Sequence, residues 1–333
     1  MIPLLGQKIF LDLFPAPEFL LLSTAGIVIA DNDTKFVQLR REILGGGFKL
    51  INSSKFVNPP GTVESGLINN PDNLKSVLRD ISKRFHIHYT HATLPEEKSY
   101  LFTATIDWVP HSGLRDAVAF IIEENVPISL AESVFDFEII RENESVGEIR
   151  LAVSVLPKHI VDSYVNVFES AGIIPISFNL ESQAIARAVI HHKDKRSYLI
   201  INLTRNKTGF YVVEEGIVQF STTRSCGLNE DDSYPDVDEL KTEMKKIIDF
   251  WNTSTDKTGK MANKIEKILL CGLGASKARL VEKIMDKNEI SHALSDVWLN
   301  ISSSREQVSL IPFDASLDYA SAIGLVLPRH SIK

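Results

Sequence analysis

Chemistry in this chain has to come from a few short stretches. Gly272 and Gly274 in CGLGASKARL stand between a strand-like and a helix-like run. That is the setting of a dinucleotide-binding turn, whose glycines let backbone amides close on a pyrophosphate. Lys277 stands where a third glycine would be, and nothing marks an acidic ribose ligand after a second strand, so a tight strand-to-helix turn is the expectation. HIHYTH offers His86, His88 and His91, and an H-x-H pair on one strand face can bind metal. No second ligand cluster accompanies it, which favours exposed or hydrogen-bonded histidines at a strand end. His191 and His192 are adjacent and would point apart on a helix. The acidic pairs Glu123-Glu124 and Asp231-Asp232 read as solvated helix ends or loops. No G-x-x-x-x-G-K-[ST] phosphate loop, G-x-S-x-G elbow or Ser/His/Asp order occurs. One turn remains: in GIVIADNDTKFVQL, Asp31-Asn32-Asp33 separate a strand over Ile27–Ile29 from a returning strand over Lys35–Leu39. That hairpin presents Asp31 and Asp33 to whatever faces it.

The elements around these stretches fall into a pattern. The opening hairpin continues through REILGGGFKLINSSKF as a meander, VNPPGTVESGLI is turn-rich, and NNPDNLKSVLRDISKRF predicts a helix from its Asn/Asp start, Pro71 and the spacing of Leu74, Val77, Leu78, Ile81 and Phe85. From about Ser99 the order becomes strand, helix, strand, strand, helix, ending near Gly172, which reads as an inserted α+β unit. IPISFNL and ESQAIARAVIHH resume a strand and a helix. A second hairpin follows in SYLIINLTRNKTGFYVVEEGIVQFSTTRS, with turns at Thr204–Thr208 and at Glu214-Glu215-Gly216. Two copies of a meander plus helix predict two lobes facing each other across a cleft. The domain reading is an extension at 1–19, a first lobe at 20–97, the insertion at 98–173, a return at 174–195 and a second lobe at 196–330, with a short insertion of its own at 228–262.

Composition sets the outer limits. A chain of 333 residues, 44% hydrophobic, supports about two domains with full cores. A net charge of -7 and a pI near 5.8 argue against general affinity for nucleic acid or anionic lipid, which need concentrated basic surface. Cys226 and Cys271 are far apart and fit neither a disulfide framework nor a zinc site, so a reducing cytoplasm is expected. Asp12, Pro15, Pro17 and Glu18 interrupt the apolar N-terminus, and no run there approaches the ~20 apolar residues of a spanning helix.

Taken together, GIVIADNDTKFVQL, GTVESGLINNPDNLKSVL, AFIIEENVPISLAESVFDFEII, VDSYVNVFESAGIIPISFNLESQAIARA, LIINLTRNKTGFYVVEEGIVQFSTTRSCG, ILLCGLGAS and YASAIGLVL resemble, in order and spacing, the PilM family of type IV pilus assembly, relatives of the division protein FtsA. The resemblance implies an actin-like (ribonuclease H-like) two-lobed α/β fold with an inserted α+β subdomain of the FtsA 1C type and a reduced fourth subdomain. In that fold two hairpins, each opening with Asp-x-Gly, cradle nucleotide phosphates and Mg²⁺. Here those patterns fall on Val28 and Ala30, and on Asn202 and Thr204. Val28 offers no side-chain oxygen and Asn202 only a neutral one, so Mg²⁺ chemistry is expected to be lost. Were ATP the cofactor, its neighbours would be Asp31, Asp33, Asn202, Thr204, Gly272 and Gly274.

The implied function is that of a non-enzymatic cytoplasmic scaffold. It would bind the short N-terminal tail of an inner-membrane, PilN-like partner in a groove between the first lobe and the insertion, and so join the assembly platform to the motor. Self-association stays open, and localisation is at the inner membrane through partners. The alternatives are an ATP-dependent switch of the same family and an FtsA-like division tether; the latter calls for an amphipathic helix beyond the domain, where this sequence has LPRHSIK.

Overall fold

The computed structural model of the chain describes residues 24–41, 47–229, 234, 236–254, 263–301 and 311–328. The expected extension at 1–19, Asp231-Asp232 and the final five residues lie outside them. Strand β1 (Thr24–Ile29) and β2 (Asp33–Arg41) form the antiparallel opening hairpin, with Ile27 opposite Phe36 and Val28 opposite Lys35. β3 (Phe48–Val57) completes the meander. A miniature hairpin follows, β4 (Val63–Glu64) and β5 (Leu67–Ile68), turned by Ser65 and Gly66 at φ of 47° and 75°. Two successive positive φ angles are what a tight hairpin turn needs. Helix α1 (Pro71–Phe85) starts where the Asn70 side chain accepts the Asn73 N–H at 3.1 Å, and it buries Leu74, Val77, Leu78 and Ile81 as their spacing predicts. β6 (Tyr89–Leu94) then runs parallel to β1.

The insertion comprises β7 (Tyr100–Asp107), α2 (Leu114–Asn125), β8 (Ser133–Asn143) and β9 (Glu148–Pro157), in sheet order β7-β9-β8. Leu114, Val118 and Ile122 of α2 pack on Ile149, Leu151 and Val153 of β9, a core separate from those of the lobes. Helix α3 (Lys158–Ser170), which the sequence groups with this unit, joins the first lobe instead. Its Ile160, Tyr164, Val167 and Phe168 pack with Ala25, Ile27, Leu78 and Ile81. An apolar stripe at helical spacing specifies burial but not which core receives it. β10 (Ile174–Leu180) lies parallel to β6 and completes the sheet order β10-β6-β1-β2-β3.

The second lobe repeats this plan. After α4 (Glu181–Val189) come β11 (Ser197–Leu203), β12 (Thr208–Glu214), β13 (Ile217–Arg224), α5 (Val237–Thr253), β14 (Lys267–Cys271), α6 (Ala278–Met285), β15 (Ser291–Leu294) and α7 (Ala320–Val326). Its sheet order is β13-β12-β11-β14-β15, with β11, β14 and β15 parallel, which matches the first sheet strand for strand. In the stretch 228–262, α5 is the only helix or strand among the described residues. α4 ends before His191 and His192, whose rings lie with centroids 4.3 Å apart rather than diverging as on a helix. The Asn300 side chain closes that helix end by donating to the carbonyls of Arg187 and Ile190 at 2.8 and 2.7 Å.

Helices α1 and α3 cover the outer face of the first sheet, α5 and α6 that of the second, and α4 and α7 lie between the two sheets. This central layer shares one core with Val28, Val37 and Leu39 of the first sheet and Ile200, Tyr211 and Val213 of the second. α7 thus crosses from the second lobe, where the sequence places it, onto the first. Two glycines permit that approach: a Cβ at Gly26 would sit 2.4 Å from the Ala322 carbonyl oxygen, and one at Gly324 would sit 1.7 Å from that of Ala184. The inserted sheet also grips the second lobe, with Arg150 donating to Gln219 at 3.0 Å and Ile140, Ala152 and Ile217 in contact. Among the described residues, no helix is long and apolar enough to cross a membrane.

Candidate functional site

The two sheets direct equivalent turns at each other. The β1–β2 turn brings Asp31 and Asn32, the β11–β12 turn brings Arg205 and Asn206, and the cleft between them is walled by Gly66, Pro95, Glu97, Glu181, Leu273 and Asp318. Of the six residues singled out in the sequence, Asp31, Asp33 and Thr204 line this cleft. Asn202, Gly272 and Gly274 stand behind its lining residues Glu181 and Leu273.

Each of the six has a partner within the chain. Asp31 accepts the backbone N–H groups of Ser65 and Gly66 at 3.0 and 3.3 Å, which ties the opening hairpin to the β4–β5 turn. Asp33 is buried and lies 3.1 Å from both Lys35 and Lys55. Burial pushes its carboxyl up, but the two ammonium groups outweigh that and hold it below the usual carboxylate range. Both lysines also reach Asp318 at 3.1 Å. Asn202 is buried, and its amide donates to Glu181 at 3.2 Å. Thr204 closes its own turn, its hydroxyl donating to the Lys207 carbonyl at 2.7 Å. Gly272 has φ 84°, and a Cβ there would lie 2.6 Å from Asn202 Oδ1; one at Gly274 would lie 2.8 Å from Leu203 Cβ. Packing against the end of β11 therefore accounts for both glycines as a tight strand-to-helix turn.

A second set of ion pairs in the cleft involves residues that spacing does not single out. Lys207 Nζ lies 2.7 Å from Glu97 and 3.2 Å from Glu181, both on the opposite side of the cleft. Burial alone would lower the Lys207 pKa, yet Glu181 and Glu97 raise it far above the ordinary lysine value. Burial likewise raises Glu97, and Lys207 outweighs it to leave the carboxyl low. The neighbouring Glu96 is buried and accepts the Ser182 N–H at 3.0 Å and the Ser182 hydroxyl at 2.8 Å, so a carboxylate caps the start of α4. Burial pushes this carboxyl up. Finally, Asn32 Nδ2 donates to Asn206 Oδ1 at 2.6 Å and joins the two turns directly. The cavity left beside them is about 50 Å³, room for a few waters.

His86 is the left-handed residue that ends α1, and His91 Nδ1 lies 2.7 Å from the Ser177 hydroxyl. Glu123 and Glu124 are exposed. Among the described residues, no group of three His, Cys, Asp or Glu side chains is placed to hold a metal ion.

The family model described as type IV pilus assembly protein PilM matches residues 26–230. Among solved structures, one described as a PilM-PilN type IV pilus biogenesis complex is similar with a TM-score of 0.76 and 16% identity, covering 93% of this chain and 98% of the other. The ethanolamine utilization protein EutJ from Carboxydothermus hydrogenoformans is similar with a TM-score of 0.52 and 10% identity, covering 90% of this chain and 88% of its own. No curated protein matches the sequence significantly.

Proposed function

From the premise that this chain belongs to the PilM family of type IV pilus assembly proteins and has their actin-like two-lobed fold, we propose that it is a scaffold of the pilus assembly platform. It binds the cytoplasmic N-terminal tail of an inner-membrane, PilN-like protein and is held at the inner membrane by that partner. Its inter-lobe cleft is a degenerate nucleotide site. The observation that carries this reading is the direct contact of the two hairpin turns through Asn32 and Asn206, with Lys207 paired across the cleft. The residues do not fit Mg-ATP. Val28 belongs to the apolar core, Asn202 spends its amide on Glu181, and Asp31 and Asp33 are engaged by backbone amides and lysines. A triphosphate would have to break several charge-assisted contacts, each stronger than a neutral hydrogen bond. The similarity to a structure described as containing PilN supports the choice of partner; the proposed place for its tail is between the first lobe and the insertion.

Calorimetric titration with a synthetic N-terminal tail of the PilN-like protein from the same genome tests the scaffold. Saturable binding is expected, and its absence overturns the partner assignment. The retained shape of both hairpins favours, as a second reading, an ATP-binding switch of pilus assembly. That reading requires ATP to bind and to change tail affinity.

A further inference from the structure

We propose that Lys207 is an internal latch that holds the two lobes closed, so that lobe closure in this chain is set by its own side chains rather than by a ligand. This rests on the reading of the cleft as a degenerate nucleotide site. Lys207 belongs to the β11–β12 turn of the second lobe, whereas Glu97 follows β6 in the first lobe and Glu181 opens the central helix α4. One ammonium therefore ties three elements, at 2.7 and 3.2 Å. All three side chains are largely buried, at 22%, 16% and 12% exposure, so solvent screens the pairs little. Asn32 and Asn206 add a bond between the turns at 2.6 Å, and Asn206 reaches Asp31 at 3.4 Å.

The local chemistry makes the latch interdependent. Glu181 receives both the Lys207 ammonium and the Asn202 amide, on different carboxylate oxygens. Adjacent Glu96 is committed to Ser182, at the first turn of the same helix. Removing the ammonium leaves Glu97 and Glu181 as buried carboxylates without their shared cation, a cost relieved by a carboxyl keeping a proton or, where both stay ionised, by separation of the turn from α4. The inserted sheet holds the second lobe independently of the latch, through Arg150 and Gln219 and through Ile140, Ala152 and Ile217.

The test is hydrogen exchange on the full chain, comparing wild type with Lys207→Met, Lys207→Arg and Glu97→Gln, each with and without millimolar Mg-ATP. Expected is an approximately tenfold or greater rise in exchange at Asn206–Thr208 and at the first turn of α4 in Lys207→Met. Glu97→Gln should give a smaller rise, Lys207→Arg should stay near wild type, and ATP should change none of them. Unchanged exchange in both Lys207→Met and Glu97→Gln overturns the latch, as does wild-type protection that rises on adding Mg-ATP. Should Lys207→Met fail to fold, Glu97→Gln and Lys207→Arg carry the decision, and equal exchange in these two overturns the proposal. Tail binding by the same proteins separates the two readings. A bound tail with unchanged exchange refutes only the latch, and raised exchange without tail binding refutes only the scaffold.

Discussion

Restoring the acid that the actin-like pattern places in the second hairpin should damage this protein. In Asn202→Asp, a carboxylate oxygen replaces an amide nitrogen 3.2 Å from Glu181 Oε1, at a position 4% exposed. Two unit charges at that distance repel by about 5 kcal/mol at an effective dielectric of ~20. Lys207, 3.2 Å from the other Glu181 oxygen, offsets part of this, which leaves about 2–4 kcal/mol at pH 8. The variant carboxyl can relieve the repulsion by keeping a proton, so its folded pKa is raised. A carboxyl raised in the folded state is harmless below its unfolded pKa of about 3.9, and its cost grows as pH rises until the folded pKa is passed. Urea unfolding of variant and wild type at pH 4, 6 and 8 should show a difference that is largest at pH 8 and shrinks toward pH 4. Equal stability at pH 8, or a difference that grows on acidification, would refute the assignment of Asn202 as donor to Glu181.

Three further outcomes follow from the packing and the charges. Gly324→Ala forces a Cβ to 1.7 Å from the Ala184 carbonyl oxygen; it should cost about 3 kcal/mol or more, read as a large fall in the thermal midpoint, and a wild-type midpoint would show that α4 and α7 are less closely packed. Asp33, held low by Lys35 and Lys55, contributes stability that is present above its unfolded pKa and is lost as pH falls through the lower folded value, so below about pH 4. Asp33→Asn should therefore be about 2–3 kcal/mol less stable at pH 7, with the gap to wild type closing in acid; a gap that stays constant with pH counts against the ion pairs. Asn300→Ala removes two bonds to the last carbonyls of α4 and should cost about 1–2 kcal/mol in denaturant.

The two meanders, the helix over 71–85 and the tight turn at Gly272 were legible because local rules set them: strand alternation, an Asn-Pro start and glycines between a strand and a helix. The repeated meander pointed to two lobes, the resemblance to PilM supplied the actin-like fold, and the family match agrees with that resemblance. Two assignments failed at the level of packing. α3 and α7 are amphipathic or apolar segments whose sequences require burial without naming the neighbour: α3 packs in the core of the first lobe rather than that of the insertion, and α7 in the central core that both sheets share. In the cleft, spacing pointed to Asp31 and Asp33 but not to Lys207, Glu97 or Glu181. Lys207 and Glu97 are 110 positions apart, and a lysine in a polar turn looks like solvated surface until the fold brings carboxylates to it.

The most direct measurement is the calorimetric affinity of the purified chain for the PilN-like tail, determined without nucleotide and again in saturating Mg-ATP, with a blank titration of ATP into the chain alone. A constitutive scaffold gives a saturable tail isotherm, the same dissociation constant under both conditions and no saturable heat from ATP. A tail affinity that shifts about tenfold or more with Mg-ATP, alongside saturable nucleotide binding that weakens without Mg²⁺, would contradict the account and establish the cleft as a working switch.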